Sequence, residues 1–381
     1  MNINVLIDHV HRDDGPVPNF YGQLPVPPEL EHNTTIRSSY FADEIEKWIY
    51  PIVLPATLSP ESYVSCKPEF KKILPKKVFD CINKGKGLVI VYYHEPLYDS
   101  TIETLKYMMD SDPIFKNVLI LTLHEVDHPR ILKGTFVEVF TPSIKSGFRY
   151  DDNQLVDHTP YSNEPGNSRE YPKSTLDGIN DKLYTCFMFT FYESEERFVI
   201  LNLLQDLQLL DDGIVTCYDK AKKFKELYNS LQTSASWVKT TPTFSQFNSV
   251  YNFVETEEAL NKSLLNLVVE CDFDGIYPFF SEKTSRNFYY KKPFIILGRQ
   301  GVAKNCRNLG YETFHEILDE SYDSEPDTKK RLFKALLSLK QVKKDGLDKK
   351  KLKDIVDHNY DNFHKRKSFL ENEIKCRLNA L

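Results

Sequence analysis

The chain has 381 residues, 41% hydrophobic and 27% charged, which excludes a disordered polymer and leaves room for two domains of ordinary size. Its net charge of −6 is unevenly spread: residues 328–381 hold 16 Lys or Arg against 7 Asp or Glu, a balance of +9 that leaves −15 for residues 1–327. An acidic body argues against indiscriminate nucleic-acid binding, and the absence of any long apolar window argues against a membrane-crossing helix.

Ile3–Ile7 reads as a buried strand ending in Asp8-His9, and Ile49–Leu54 as a second. Ile73–Asn83 has helical spacing and stops at Lys84-Gly85. The run from Gly87 to Tyr93 is a strand with His94-Glu95-Pro96 at its carboxyl end. Ile102–Met109 predicts a helix, Val118–Leu123 a strand ending in His124-Glu125, and Phe136–Phe140 a further strand. Apolar runs spaced by helices predict a sheet covered on both faces, with ligands collecting at the strands' carboxyl ends. Asp8, His94, Glu95, His124 and Glu125 all fall there.

Residues 143–181 break the rhythm with turn chemistry, so a long loop and a domain junction near its end are expected. Strands then recur at Leu183–Phe189, Gly213–Cys217 and Leu264–Glu270, with a helix over Glu195–Leu210. Phe279-Phe280-Ser281-Glu282-Lys283-Thr284 reads as a strand edge opening a helix, and Pro293–Leu297 as the next buried strand. Adjacent carboxylate and ammonium at a helix start suit a nucleotide-sugar, the acid accepting from ribose hydroxyls and the lysine facing phosphates; a surface ion pair is the plainer alternative. Beyond residue 328, Leu332, Leu336 and Leu339, then Leu352, Ile355 and Val356, recur at helical spacing among lysines. Terminal helices with solvated basic faces are expected there, a polyanion-facing surface being the sharper reading.

Three other motifs bear on chemistry. Asp272-Phe273-Asp274 follows an apolar strand, as an Asp-x-Asp holding a divalent cation would, but falls late in the chain for that role. His124-Glu125-x-x-His128 has the spacing of a zinc helix, yet a strand precedes it and Pro129 follows. The seven scattered cysteines form no Cys-x-x-Cys pair, so neither a disulfide framework nor a cysteine-rich zinc site is expected. The first residues lack a basic start and apolar core of a secretory signal. Cytoplasmic residence is the simplest expectation, in a host cell if the Lys-, Asn-, Tyr- and Phe-rich composition reflects an AT-rich viral genome.

Leu267-Val268-Val269-Glu270, then Phe280 to Thr284, then Lys292 to Gly298 resemble the donor-binding half of fucosyltransferase-type glycosyltransferases. They are more similar still to phage and bacterial glycosyltransferase-like proteins, which continue with a leucine-glycine-aromatic step and an acidic Asp-Glu-Ser-Tyr-Asp segment, here Asp319–Asp323. The resemblance covers about residues 182–325. It implies an α/β fold of GT-B type, two Rossmann-like domains facing a cleft: an acceptor domain over 1–175, a nucleotide-sugar domain over 176–327, and basic helices over 328–381. It further implies that Arg197 and Lys283 hold the pyrophosphate, Glu282 the ribose, and that Glu270 orients the sugar or the loop around it. The family pairs a histidine with this arginine, whereas Glu196 precedes Arg197 here. No obligatory metal is implied, since arginine and lysine neutralise the leaving diphosphate. An inverting reaction needs a base for the acceptor hydroxyl, with Glu95 first and His94 second. The basic end favours a hydroxylated or hydroxymethylated cytosine in phage DNA as acceptor; a glycan- or lipid-linked acceptor, or a non-catalytic GT-B-like module binding DNA or protein, are the alternatives.

Overall fold

The computed structural model describes residues 3–7, 34–38, 42–54, 74–93, 97–133, 148–151, 154–157, 181–188, 195–217 and 259–380. The chain forms two compact units: Met1–Ser168 with Gly275–Tyr277 and His364–Leu381, and Arg169–Asp274 with Pro278–Phe363. Residues 328–381, expected as a segment of their own, are thus shared between the units.

The first unit is built on six parallel strands: β1 (Ile3–Ile7), β2 (Thr34–Ser38), β3 (Trp48–Leu54), β4 (Leu88–Tyr93), β5 (Val118–Thr122) and β6 (Ile131–Lys133). Their order is β2-β1-β3-β4-β5-β6, so the winding direction reverses at β1. β5 is buried at every position, which is why its sequence is continuously apolar rather than alternating. Helices α1 (Lys76–Asn83) and α2 (Asp99–Ser111) cover the sheet through Val78, Ile82, Ile102, Leu105 and Met109. Trp48 anchors this core, its indole N–H donating to Ala42 O at 3.0 Å. Gly87 lets the chain pass over the indole: it has φ +73°, and a Cβ there would lie 2.3 Å from the ring.

Four strands go beyond the sequence reading. β2 is an edge strand of mostly polar residues that pairs only with β1, and β6 has three residues. Within 143–181, expected as loop throughout, β7 (Phe148–Asp151) and β8 (Gln154–Asp157) form an antiparallel pair. The expected strand Phe136–Phe140 lies outside the described residues.

The second unit carries four parallel strands: β9 (Lys182–Met188), β10 (Gly213–Cys217), β11 (Ser263–Val269) and β12 (Phe294–Leu297), in the order β10-β9-β11-β12. Helix α3 (Glu195–Asp206) follows β9, α4 (Glu282–Tyr289) follows β11, and α5 (Val302–Asn308) follows β12. Helix α6 (Thr328–Asp345) packs on α3 and β12, and the 32-residue α7 (Lys349–Ala380) closes the chain. An aromatic cluster fixes α4 to the sheet: Phe288 stacks on Tyr311 at 3.7 Å between ring centres and meets Phe294 edge-on at 5.5 Å.

Candidate functional site

The site lies within the second unit, where β9 and β11 end side by side and the strand order turns back on itself. At such a switch point the loops above adjacent strands diverge and leave a crevice for a ligand. Glu270 directly follows β11, and its backbone N–H donates to Leu297 O at 2.9 Å. Its side chain is fully buried and accepts three hydrogen bonds from the start of α4. Oε1 takes Ser281 N at 3.0 Å and Thr284 Oγ1 at 2.6 Å, and Oε2 takes Ser281 Oγ at 2.6 Å. Ser281 is also the N-cap of α4, its hydroxyl accepting from Lys283 N at 3.2 Å. The acid after β11 therefore grips the amino end of the next helix.

Gly298, at the end of β12, makes room for this clamp. A Cβ there would come within 3.3 Å of Glu270 Cβ and 3.4 Å of Cγ. Gly298→Ala is expected to displace the Glu270 side chain by a few tenths of an ångström and to cost about 1–2 kcal/mol in urea unfolding. An unchanged midpoint would show that the clamp has slack.

Lys283 sits in the first turn of α4, half-buried, with Nζ 3.4 Å from Ser281 Oγ. Arg197 occupies the corresponding first turn of α3 and is buried. Each cation thus stands at the amino end of a helix that follows one of the two strands at the switch point. Glu282 is the first residue of α4; its side chain lies outside the described residues.

The loops after β11 and β12 are tied by Arg299, Arg331 and the two acids of the Asp-x-Asp motif. Buried Arg299 pairs with Asp272 at 2.5 Å. Asp274 accepts from Thr328 Oγ1 at 3.0 Å. Both carboxylates of the Asp-x-Asp motif thus have protein partners, and the described residues hold no group of three or more His, Cys, Asp and Glu side chains placed for a metal. Arg331 lies in the segment expected to carry solvated basic faces, yet it is buried. Its guanidinium donates to Gly298 O at 3.0 Å, Phe273 O at 2.8 Å and Glu325 O at 2.7 Å, joining the loops after β11 and β12 to α6. The planar fork with five spread donors lets one side chain reach these separate carbonyls.

The acidic segment after α5 is likewise structural. Asp323 accepts from Ala303 N and Lys304 N, both at 2.9 Å, and so fills the amino end of α5 with the chain's own carboxylate. Glu320 accepts from Thr313 Oγ1 at 2.7 Å, Phe314 N at 2.8 Å and Arg307 at 2.8 Å. Burial raises its pKa, and these three partners work against that rise.

No protein-family model and no curated protein matches the chain. Among solved structures it is similar to the crystal structure of the glycotransferase of kitacinnamycin. The TM-score is 0.35 at 10% identity, over 91% of this chain and 79% of that one. At that distance no residue of one chain stands for a residue of the other.

The remaining candidates belong to the first unit. His94 and Glu95 directly follow β4, and they and Asp8 lie outside the described residues. His124 is fully buried, and its Nε2 accepts from Leu97 N at 2.8 Å. His128 accepts from Arg130 N at 3.1 Å through Nδ1 and faces Asp110 at 3.2 Å through Nε2. The two imidazoles hold loops, and the strand over Val118–Thr122 denies them the shared helical face that a zinc motif requires.

Proposed function

We propose that the chain is a nucleotide-sugar-dependent glycosyltransferase. The observation that carries this reading is the placement of Arg197 and Lys283 in the first turns of α3 and α4, at the switch point between β9 and β11. A diphosphate there meets two cations at the positive ends of two helix dipoles, which stabilise negative charge without a metal. Glycosyl transfer leaves that charge on the departing nucleoside diphosphate, so the same groups aid the chemical step. Glu282 is assigned the ribose hydroxyls. Glu270 acts on the loop rather than on the sugar, because both its oxygens are taken by Ser281 and Thr284. Glu95 is assigned the acceptor proton, with His94 the second choice.

A hydroxylated or hydroxymethylated cytosine in DNA was favoured as acceptor by the charge of residues 328–381. Part of that charge is met from outside the segment: Arg331 is buried, while Lys334, Lys343 and Lys351 bridge to Glu325, Asp212 and Glu316. A hydroxyl on a glycan or a lipid-linked sugar fits this balance better.

The test is thermal unfolding with UDP-, GDP-, CMP- and dTDP-sugars. One of them at a hundred times its dissociation constant is expected to add about 2.7 kcal/mol of stability. Lys283→Ala should remove that gain while leaving the ligand-free midpoint within about 0.5 kcal/mol of the parent. Absence of a shift with every donor would overturn the reading.

A further inference from the structure

Helix α6 has two faces of different character. Leu332, Leu336, Leu339 and Val342 are buried on the side that packs on α3 and β12. Away from them, Phe333 and Leu337 stand one turn apart and are 41% and 40% exposed, an adjacent apolar pair on an otherwise charged face. Lys330, Lys340 and Lys344 are exposed on the same side, each spaced from Leu337 by three or seven residues. The first acid on this face is Asp345, the helix's last residue. Lys334, at its margin, is drawn to Glu325 at 2.5 Å. The result is an apolar pair set among lysines along about 21 Å of helix.

We infer that this face of α6 is a docking surface for an anionic phospholipid membrane, lying flat in the headgroup region. The charge is complementary to acidic headgroups. The lysine stems reach outward past Phe333 and Leu337, whose side chains enter the boundary of the acyl chains. A nucleic acid would meet the same lysines, but Leu337 has no ring to stack on a base and would be pressed against phosphate. No helix among the described residues is long and apolar enough to cross a membrane, so the contact is peripheral. The inference goes beyond the transferase reading and does not depend on it.

Co-sedimentation of the full chain with phosphatidylcholine vesicles, with and without phosphatidylserine, tests it. Binding is expected only when phosphatidylserine is present, and is expected to fall steeply with added salt. Lys340→Gln with Lys344→Gln should weaken it about 25-fold, roughly fivefold for each lysine removed. Phe333→Ser with Leu337→Ser should weaken it at least about tenfold with an unchanged circular dichroism spectrum. These four side chains are solvent-exposed and lie outside the donor site, so a nucleotide-sugar shift should persist in both variants. No binding to phosphatidylserine vesicles would overturn the inference, as would binding that survives both variants. Preferential binding of a DNA duplex would also overturn it.

Discussion

Glu270→Ala is expected to lower the unfolding free energy by about 3–5 kcal/mol, because three buried donors lose their acceptor together and each costs about 1–3 kcal/mol when left unpaired. Ser281 N, Ser281 Oγ and Thr284 Oγ1 have their bonds to this one carboxylate at 2.6 to 3.0 Å. Water entering the new cavity recovers part of the loss, so the figure stays below a plain sum. Glu270→Gln separates the possible roles. Its carbonyl can still accept from Ser281 N and Thr284 Oγ1, and its amide can donate to Ser281 Oγ, at a cost of about 1–2 kcal/mol. If the residue serves the loop, donor affinity should follow stability across the two variants. If Glu270 touches the sugar, Gln should lose donor affinity while the urea midpoint holds, and the clamp would be the wrong account.

The sheets were legible because their strands are buried on both faces and therefore read as unbroken apolar runs. β1 and β10 have the expected bounds, β3 starts one residue earlier than expected, and β11 is shifted by one residue at both ends. Edge elements were not legible for the converse reason. Thr34, Thr35, Arg37 and Ser38 leave β2 without a pattern, and the hairpin strands β7 and β8 carry Arg149, Asp151, Gln154 and Asp157. At the site, Glu270 and Lys283 stood out because an acid and a base interrupt apolar sequence. The Ser281 cap was readable from its place before the helix, but its bond to an acid eleven residues earlier was not. Arg331 was misplaced because it sits in a lysine run, and its carbonyl partners Gly298 and Phe273 are 33 and 58 residues away. Spacing along the chain reports which face a residue shares. It does not report which distant carbonyl waits there.

Lys292 leads to a pH dependence that no surface group would produce. The residue is fully buried at the entry to β12, its Nζ donating to Leu260 O and Ser263 O. Burial pushes its pKa down from 10.5 to about 7. The neutral amine keeps two hydrogens, so both carbonyls remain satisfied after the proton leaves. Between about pH 7 and 10.5 the unfolded chain holds this proton and the folded chain does not, so stability rises with pH across that window. The full displacement corresponds to about 5 kcal/mol, and about 2–3 kcal/mol of it should show in urea unfolding between pH 7 and 9. Above about pH 10 the trend reverses, because burial raises the pKa values of Tyr184 and Tyr322 and only the unfolded chain ionises them. Lys292→Met abolishes the rising limb. At pH 9 the variant should be the less stable protein, since it leaves two buried carbonyls without their donor, and the gap should narrow toward pH 7 as the parent takes up its buried charge. A parent profile that is flat from pH 7 to 9 would mean that Lys292 keeps its proton throughout, with water or a shifted backbone supplying the solvation that the packed core denies it.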